Sequence, residues 1–272
     1  MDFINVRNGK IAVEDVGSGP GLLFGHSYLW EASMWRPQVD FLANRYRCVV
    51  PELWAHGQSS AQPPKPCGLD ELANDHWAVA QAKRMDRFVA VGLSVGGMWA
   101  LRLALAHPEA VKALVLMDTS AGAEPPTSQA RFMGLLDAVE QACAIPPPVA
   151  EAVAPFFFSN ATLTNRPELV DSFKNTLIQI PAERIPGLVA LGRGLFGRSC
   201  VLERLKEIRC PTLVLVGEDD VSRPVAEARE MAKRMPDAKL EIIPKAGHIS
   251  NLEQPKQVNE RINSFLTSVL PA

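Results

Sequence analysis

Arg87-Phe88-Val89-Ala90-Val91-Gly92-Leu93-Ser94-Val95-Gly96-Gly97-Met98 is the stretch that decides how the rest of the chain is read. It opens with a short apolar run of strand length, rich in β-branched residues and without helical spacing. It then passes through Gly-x-Ser-x-Gly straight into Met98–His107, a strong helix former stopped by Pro108. A serine between strand and helix sits on a sharp turn. Gly92 and Gly96 remove the Cβ atoms that would clash where the two elements come close. The helix starts beside Ser94 with unpaired N–H groups and the positive end of its dipole. An exposed hydroxyl and donors for an oxyanion are what nucleophilic acyl transfer needs, so the chain must also supply a base and an acid.

The composition sets no obstacle. The chain has 272 residues, 47% hydrophobic and 21% charged, values ordinary for a globular protein of one large α/β domain or two smaller ones. A net charge of −2 leaves no broad basic field, so nucleic acid is not an expected partner. No run approaches about 18 apolar residues, and Met1–Asn5 has no basic region leading into an apolar stretch. Neither a membrane partner nor a leader peptide is expected. Cys48, Cys67, Cys143, Cys200 and Cys210 are odd in number and widely spaced, which reads as free thiols in a reducing cytoplasm. No metal site or cofactor is expected from these spacings.

Outward from Ser94, buried strands are expected at Leu22–Phe24 and Ala113–Met117, and further strands at Tyr46–Val50, Pro211–Gly217 and Lys239–Ile243. Residues 2–16 read as two strands turning at Asn8-Gly9. Helices are expected near 35–44, over 69–84 and 224–235, and from about 255 to 270. Apolar strands alternating with helices imply a mostly parallel sheet covered on both faces. From about Gly122 to Arg204 the pattern changes, with nine prolines between 121 and 200 and no convincing strand. The expected organisation is a core of residues 1–121 and 205–272, interrupted by a helical cap of residues 122–204. The Phe156-Phe157-Phe158 run reads first as core packing.

In open parallel sheets, sites form outside the carboxyl ends of the strands. Just past two of the later strands come Gly217-Glu218-Asp219-Asp220 and Pro244-Lys245-Ala246-Gly247-His248. The order serine, acid, histidine is therefore available. A serine hydroxyl becomes a good nucleophile only when a neutral imidazole takes its proton. That imidazole needs a carboxylate to fix its tautomer. His248 is the candidate base and Asp220 the candidate acid, with Glu218 and Asp219 competing on spacing alone. The other histidines have structural explanations: His107 at a helix end, His76 on an exposed helix, His56 holding its turn by hydrogen bonds, and His26 a structural residue after the Leu23 strand, close to the site.

These stretches resemble the α/β-hydrolase superfamily over nearly the whole chain. The resemblance is carried by Gly92-Leu93-Ser94-Val95-Gly96-Gly97, Val216–Asp220 through Pro224, Ala246-Gly247-His248 with Glu253-Gln254-Pro255, and the loop His56-Gly57-Gln58-Ser59. It implies a sheet of about eight strands and selects Asp220, fourth in a Gly-Glu-x-Asp stretch. It further implies an oxyanion hole from the N–H groups of Val95 and Tyr28. Here His26-Ser27 replaces the family's His-Gly pair, and Glu52-Leu53-Trp54-Ala55-His56-Gly57 replaces the commoner Asp-x-Arg-Gly-His-Gly. Within the superfamily the pattern looks most like carboxylesterases and enol-lactonases. A serine hydrolase of small esters or lactones is thus expected, with a small molecule as its partner and either a monomer or a homodimer as its state. The alternatives are a carbon–carbon bond hydrolase, a cofactor-free perhydrolase or haloperoxidase, and a small-molecule receptor on the same fold. Trp30, Trp54 and Phe157 are the expected substrate-binding aromatics.

Overall fold

The structure is a computed structural model that describes residues 1–270. The last two residues of the expected 205–272 core segment lie outside the described residues. Eight strands form one sheet: β1 (Asp2–Val6), β2 (Gly9–Val16), β3 (Gly21–Gly25), β4 (Arg47–Pro51), β5 (Phe88–Leu93), β6 (Val111–Met117), β7 (Thr212–Gly217) and β8 (Ala238–Ile243). Their order across the sheet is β1-β2-β4-β3-β5-β6-β7-β8. β2 is antiparallel to both neighbours, and every pairing from β4 to β8 is parallel. The reversal of order around β3 and β4 opens a crevice beyond the carboxyl end of β5, where Ser94 follows.

Strand position explains strand composition. β5 and β7 are buried at all positions and read as unbroken apolar runs, as parallel strands covered on both faces must. The edge strands β1 and β8 are mostly exposed or half-buried. The helices of the core are α1 (Arg36–Leu42), α2 (Leu69–Ala82) and α3 (Val95–Ala106). Between β6 and β7 come α4 (Pro126–Ala142), α5 (Pro147–Val153), α6 (Asn160–Asn165), α7 (Pro167–Ile178) and α8 (Ile185–Phe196). The chain ends through α9 (Val225–Arg234), α10 (Ser250–Glu253) and α11 (Pro255–Val269). α2 packs on α3, which lies against β3, β5 and β6, while α1, α10 and α11 pack together.

The segment between β6 and β7 contains no strand among the described residues. Its prolines start helices instead of breaking them. α4, α5, α7 and α8 each carry proline in their first turn, where a missing N–H costs nothing and φ is already set.

His76 departs from its expected exposure. It is buried at 1% exposure, stacked on Trp99 with ring centroids 4.0 Å apart. α2 turns polar residues inward: neighbouring Asp75, also buried, receives Arg7 Nε at 2.8 Å and Trp54 Nε1 at 2.7 Å. Another buried polar set joins α1 to the C-terminal helices, with Gln38 Nε2 donating to Asn259 Oδ1 at 3.0 Å and Asn251 Nδ2 to the Met34 carbonyl at 2.8 Å.

Candidate active site

Ser94 has φ 57° and ψ −119°, a left-handed conformation that a serine adopts only where its surroundings enforce it. The enforcement comes from both sides. Its N–H donates to the Met117 carbonyl at 2.9 Å, and its carbonyl accepts the Thr119 hydroxyl at 2.6 Å. β3 and α3 approach so closely that a Cβ on Gly96 would stand 2.0 Å from the Gly25 carbonyl oxygen. One on Gly92 would stand 2.3 Å from the Gly96 carbonyl carbon. The two glycines of the motif are there for backbone contact.

The acid loop separates the three competing carboxylates. Glu218 and Asp219 point to solvent, whereas Asp220 is 5% exposed. Asp220 Oδ1 accepts the N–H groups of Ser222 at 2.8 Å and Arg223 at 2.9 Å. Its Oδ2 lies 2.9 Å from His248 Nδ1. An ionised carboxylate only accepts, so Nδ1 carries the proton and a neutral His248 presents Nε2 as a base. Ser94 and His248 line one cavity of about 840 Å³, counting the space open to solvent at its mouth. Among the described residues no hydrogen bond joins Ser94 Oγ to His248. Such contacts commonly tighten when substrate binds.

Tyr28 and Ser27 line the same cavity, and the Tyr28 hydroxyl donates to the Leu188 carbonyl at 2.8 Å. Burial pushes that phenol above its ordinary pKa, so it stays a donor. Val95 opens α3, an end whose N–H groups have no intrahelical partner. The turn carrying Tyr28 is pinned by two histidines. His56 Nδ1 meets the Trp54 carbonyl at 2.8 Å while its Nε2 accepts the Leu29 N–H at 3.0 Å. His26 does the same between the Ser27 carbonyl and the Leu53 N–H, both at 2.8 Å. Burial first, then neighbouring His26, lowers the pKa of His56 to about 3.

The three expected substrate-binding aromatics part company. Phe157 lines the cavity with its ring centroid 5.7 Å from that of His248. Trp30 lines a neighbouring cavity, stacked on Phe173 at 4.7 Å. Trp54 lines neither. It is fully buried against Gly9 of the β1–β2 hairpin, its indole N–H spent on Asp75. Its place in a loop beyond β4 pointed to the site, but its side chain turns back under the sheet edge.

Two sets of residues escaped the sequence reading. Asp118 follows β6 as Asp220's loop follows β7, and the strand-end rule could have found it. Fully buried, it accepts the Gly217 N–H at 2.7 Å and the Ser250 hydroxyl at 2.5 Å, joining the acid loop to the histidine loop. Burial, and then the charge of Asp220, push the Asp118 carboxyl well above the usual carboxylate range. Glu253 ties the other side, accepting the N–H of Gly247 and the Ser159 hydroxyl, the latter at 2.8 Å. The second set is Glu124, Arg198 and Arg223, of which both arginines line the cavity. No local sequence signal foretells three residues so far apart in the chain. Among the described residues, no group of three or more His, Cys, Asp or Glu could hold a metal ion, and no helix is long and apolar enough to cross a membrane.

Comparison with known proteins places the chain among known folds. A 3-oxoadipate enol-lactonase of Acinetobacter baylyi is 28% identical over 248 residues, 91% of this chain and 88% of that protein. A thermophilic esterase from Thermogutta terrifontis superposes with a TM-score of 0.88 at 29% identity, covering 96% of this chain and 94% of the other. Est816, described as an N-acyl homoserine lactone degrading enzyme, gives 0.85 at 27% identity over 97% and 100%. The model of the α/β-hydrolase fold family matches residues 20–255, and the chain belongs to that family.

Proposed function

We propose that the protein is a serine hydrolase that cleaves small carboxylic esters or lactones through an acyl-enzyme on Ser94. The observation that carries the reading is the buried pair of His248 Nδ1 and Asp220 Oδ2, 2.9 Å apart, with His248 lining the same cavity as Ser94. Support comes also from relatives named as an enol-lactonase and an esterase.

In this mechanism His248 Nε2 takes the Ser94 proton as Oγ attacks the substrate carbonyl. Asp220 stabilises the imidazolium that results. The N–H groups of Val95 and Tyr28 receive the oxyanion, each worth about 3 kcal/mol of transition-state stabilisation. The imidazolium then gives its proton to the leaving oxygen, and the acyl group stays on Ser94. His248 next deprotonates a water, which attacks the acyl carbonyl and releases the acid. In a lactone the leaving oxygen stays tethered to the acyl group, and one hydroxy acid departs.

Residues 122–204 act as a cap in this reading. Their side chains, Phe157 among them, supply most of the apolar wall. The test is turnover of a panel of short esters and lactones by the unaltered protein and by Ser94→Ala. Loss of a triad serine is expected to lower kcat by about a millionfold. Comparable rates for the two proteins would overturn the assignment.

A further inference from the structure

The cavity of Ser94 and His248 is walled mainly by apolar side chains such as Leu136, Val139 and Ile145. Two arginines are also among the residues that line it. Arg223 lies three residues past Asp220, and Arg198 lies just beyond α8; they are 5% and 6% exposed. Both reach one oxygen, Glu124 Oε2, from Arg198 Nη1 at 2.7 Å and from Arg223 Nη2 at 2.6 Å. The other Glu124 oxygen accepts the Ser128 hydroxyl at 2.6 Å. Burial alone would raise the Glu124 carboxyl, but the charge of Arg223, the Ser128 hydroxyl and Arg198 together hold it below its ordinary range. Glu124 is thus a fixed anion between two fixed cations.

Glu124 by itself leaves one cation in excess, and the second anion within ion-pair distance, Glu227, is partly exposed. Arg198 and Glu124 form a pair whose side chains are each 1% exposed. Arg198 is further held by the carbonyls of Gly122 at 2.9 Å and Leu195 at 3.2 Å. Arg223 adds a second cation. Its one guanidinium hydrogen bond among the described residues is the one to Glu124. Glu227 stands 3.5 Å from Arg223 Nη1 with 30% of its side chain exposed, and its nearer oxygen accepts no hydrogen bond. Arg198 Nη2 is likewise buried without an acceptor. Arg223 Nε and Nη1 make no hydrogen bond among the described residues and are left for another acceptor. A planar pair of oxygens is the group that fits such a fork.

We propose that Arg223, backed by the Arg198–Glu124 pair, is a carboxylate subsite of the cavity, and that the ester or lactone cleaved at Ser94 carries a second, free carboxylate. This rests on the serine-hydrolase reading. Arg223 hangs from the loop that holds Asp220, so a substrate anchored there has one end fixed relative to the triad. The apolar wall in between accommodates the methylene chain that joins the two functional groups.

The experiment compares isosteric substrates: the half methyl esters of succinic, glutaric and adipic acids, each against its half amide, in which a neutral carboxamide replaces the free carboxylate. For at least one chain length the unaltered protein is expected to favour the carboxylate in kcat/KM by about tenfold or more, the size of one charge-assisted hydrogen bond. Arg223→Gln should collapse that ratio toward unity, and Arg223→Lys should keep part of it. The ratio cancels any loss common to both substrates, and the unaltered protein decides the point even if a variant does not fold. Turnover of p-nitrophenyl acetate without a carboxylate preference at any length would overturn the subsite and leave the hydrolase reading standing. Equal loss on both substrates in Arg223→Gln would make the cluster purely structural. An unaltered protein that turns over no ester or lactone at all would overturn both readings.

Discussion

The Ser250 hydroxyl donates to Oδ2 of Asp118 across 2.5 Å, joining the loop of the candidate base to the end of β6. The other Asp118 oxygen accepts the Gly217 N–H at the start of the acid loop. One buried carboxyl therefore sets the spacing of the two loops that bring Asp220 and His248 together. Asp118→Ala should leave both donors buried without an acceptor, at about 1–3 kcal/mol each. It should lower kcat and the unfolding midpoint together. Asp118→Asn keeps an oxygen for Gly217 and offers an amide N–H to Ser250 Oγ. Because burial already disfavours the charged form of Asp118, the Asn variant should stay close to the unaltered protein in both measurements. Equal damage from Asn and Ala would mean that the charge matters, and the strut account would be wrong.

Glycine is required at the elbow for space. In Gly96→Ala the new methyl would meet the Gly25 backbone at 2.0 Å, and neither β3 nor α3 can move away without opening the sheet. Soluble, folded protein is not expected from that variant. Gly134→Ala is the control: it lies on an exposed position of α4 where an added Cβ meets nothing within 4 Å. It should raise stability by roughly 0.5–1 kcal/mol, measured by urea unfolding.

Acid should destabilise the fold above the usual carboxylate range. Burial, as the largest cause in each, lowers His56 to about 3 and His76 to about 4. The unfolded chain therefore takes up two protons near pH 6.5 that the native state refuses, and stability present above that pH is lost as pH falls toward about 4. Asp118 works the other way. Its raised pKa lets the native state hold a proton that the unfolded chain lacks, which offsets part of the loss. Each histidine contributes a slope of at most about 1.4 kcal/mol per pH unit in this window. Urea unfolding at pH 7, 6 and 5 checks this. Constant or rising stability on acidification would contradict it.

The parallel sheet was legible because β5 and β7 are unbroken apolar runs, which only strands covered on both faces need to be. Ser94, Asp220 and His248 were legible because each follows a strand whose end could be located. The resemblance chose Asp220 among three neighbouring carboxylates; in the structure, burial and two backbone N–H bonds separate it from them. Where a side chain turns is a tertiary matter, and there the reading faltered. Trp54 sits in a loop at the correct end of the sheet but packs beneath the β1–β2 hairpin. His76 looked exposed because its helix also carries Asp75, and only Arg7 and Trp54, distant in sequence, explain why that polar face is buried. Glu124, Arg198 and Arg223 meet across 74 and 99 residues of chain, a convergence that no local pattern encodes.

The account stands or falls on whether Ser94 is an activated nucleophile. Intact-mass analysis after treatment with a fluorophosphonate probe tests this directly, with Ser94→Ala alongside. The account predicts one adduct on the unaltered protein and none on the variant. No adduct on either protein, or the same adduct on both, would contradict it.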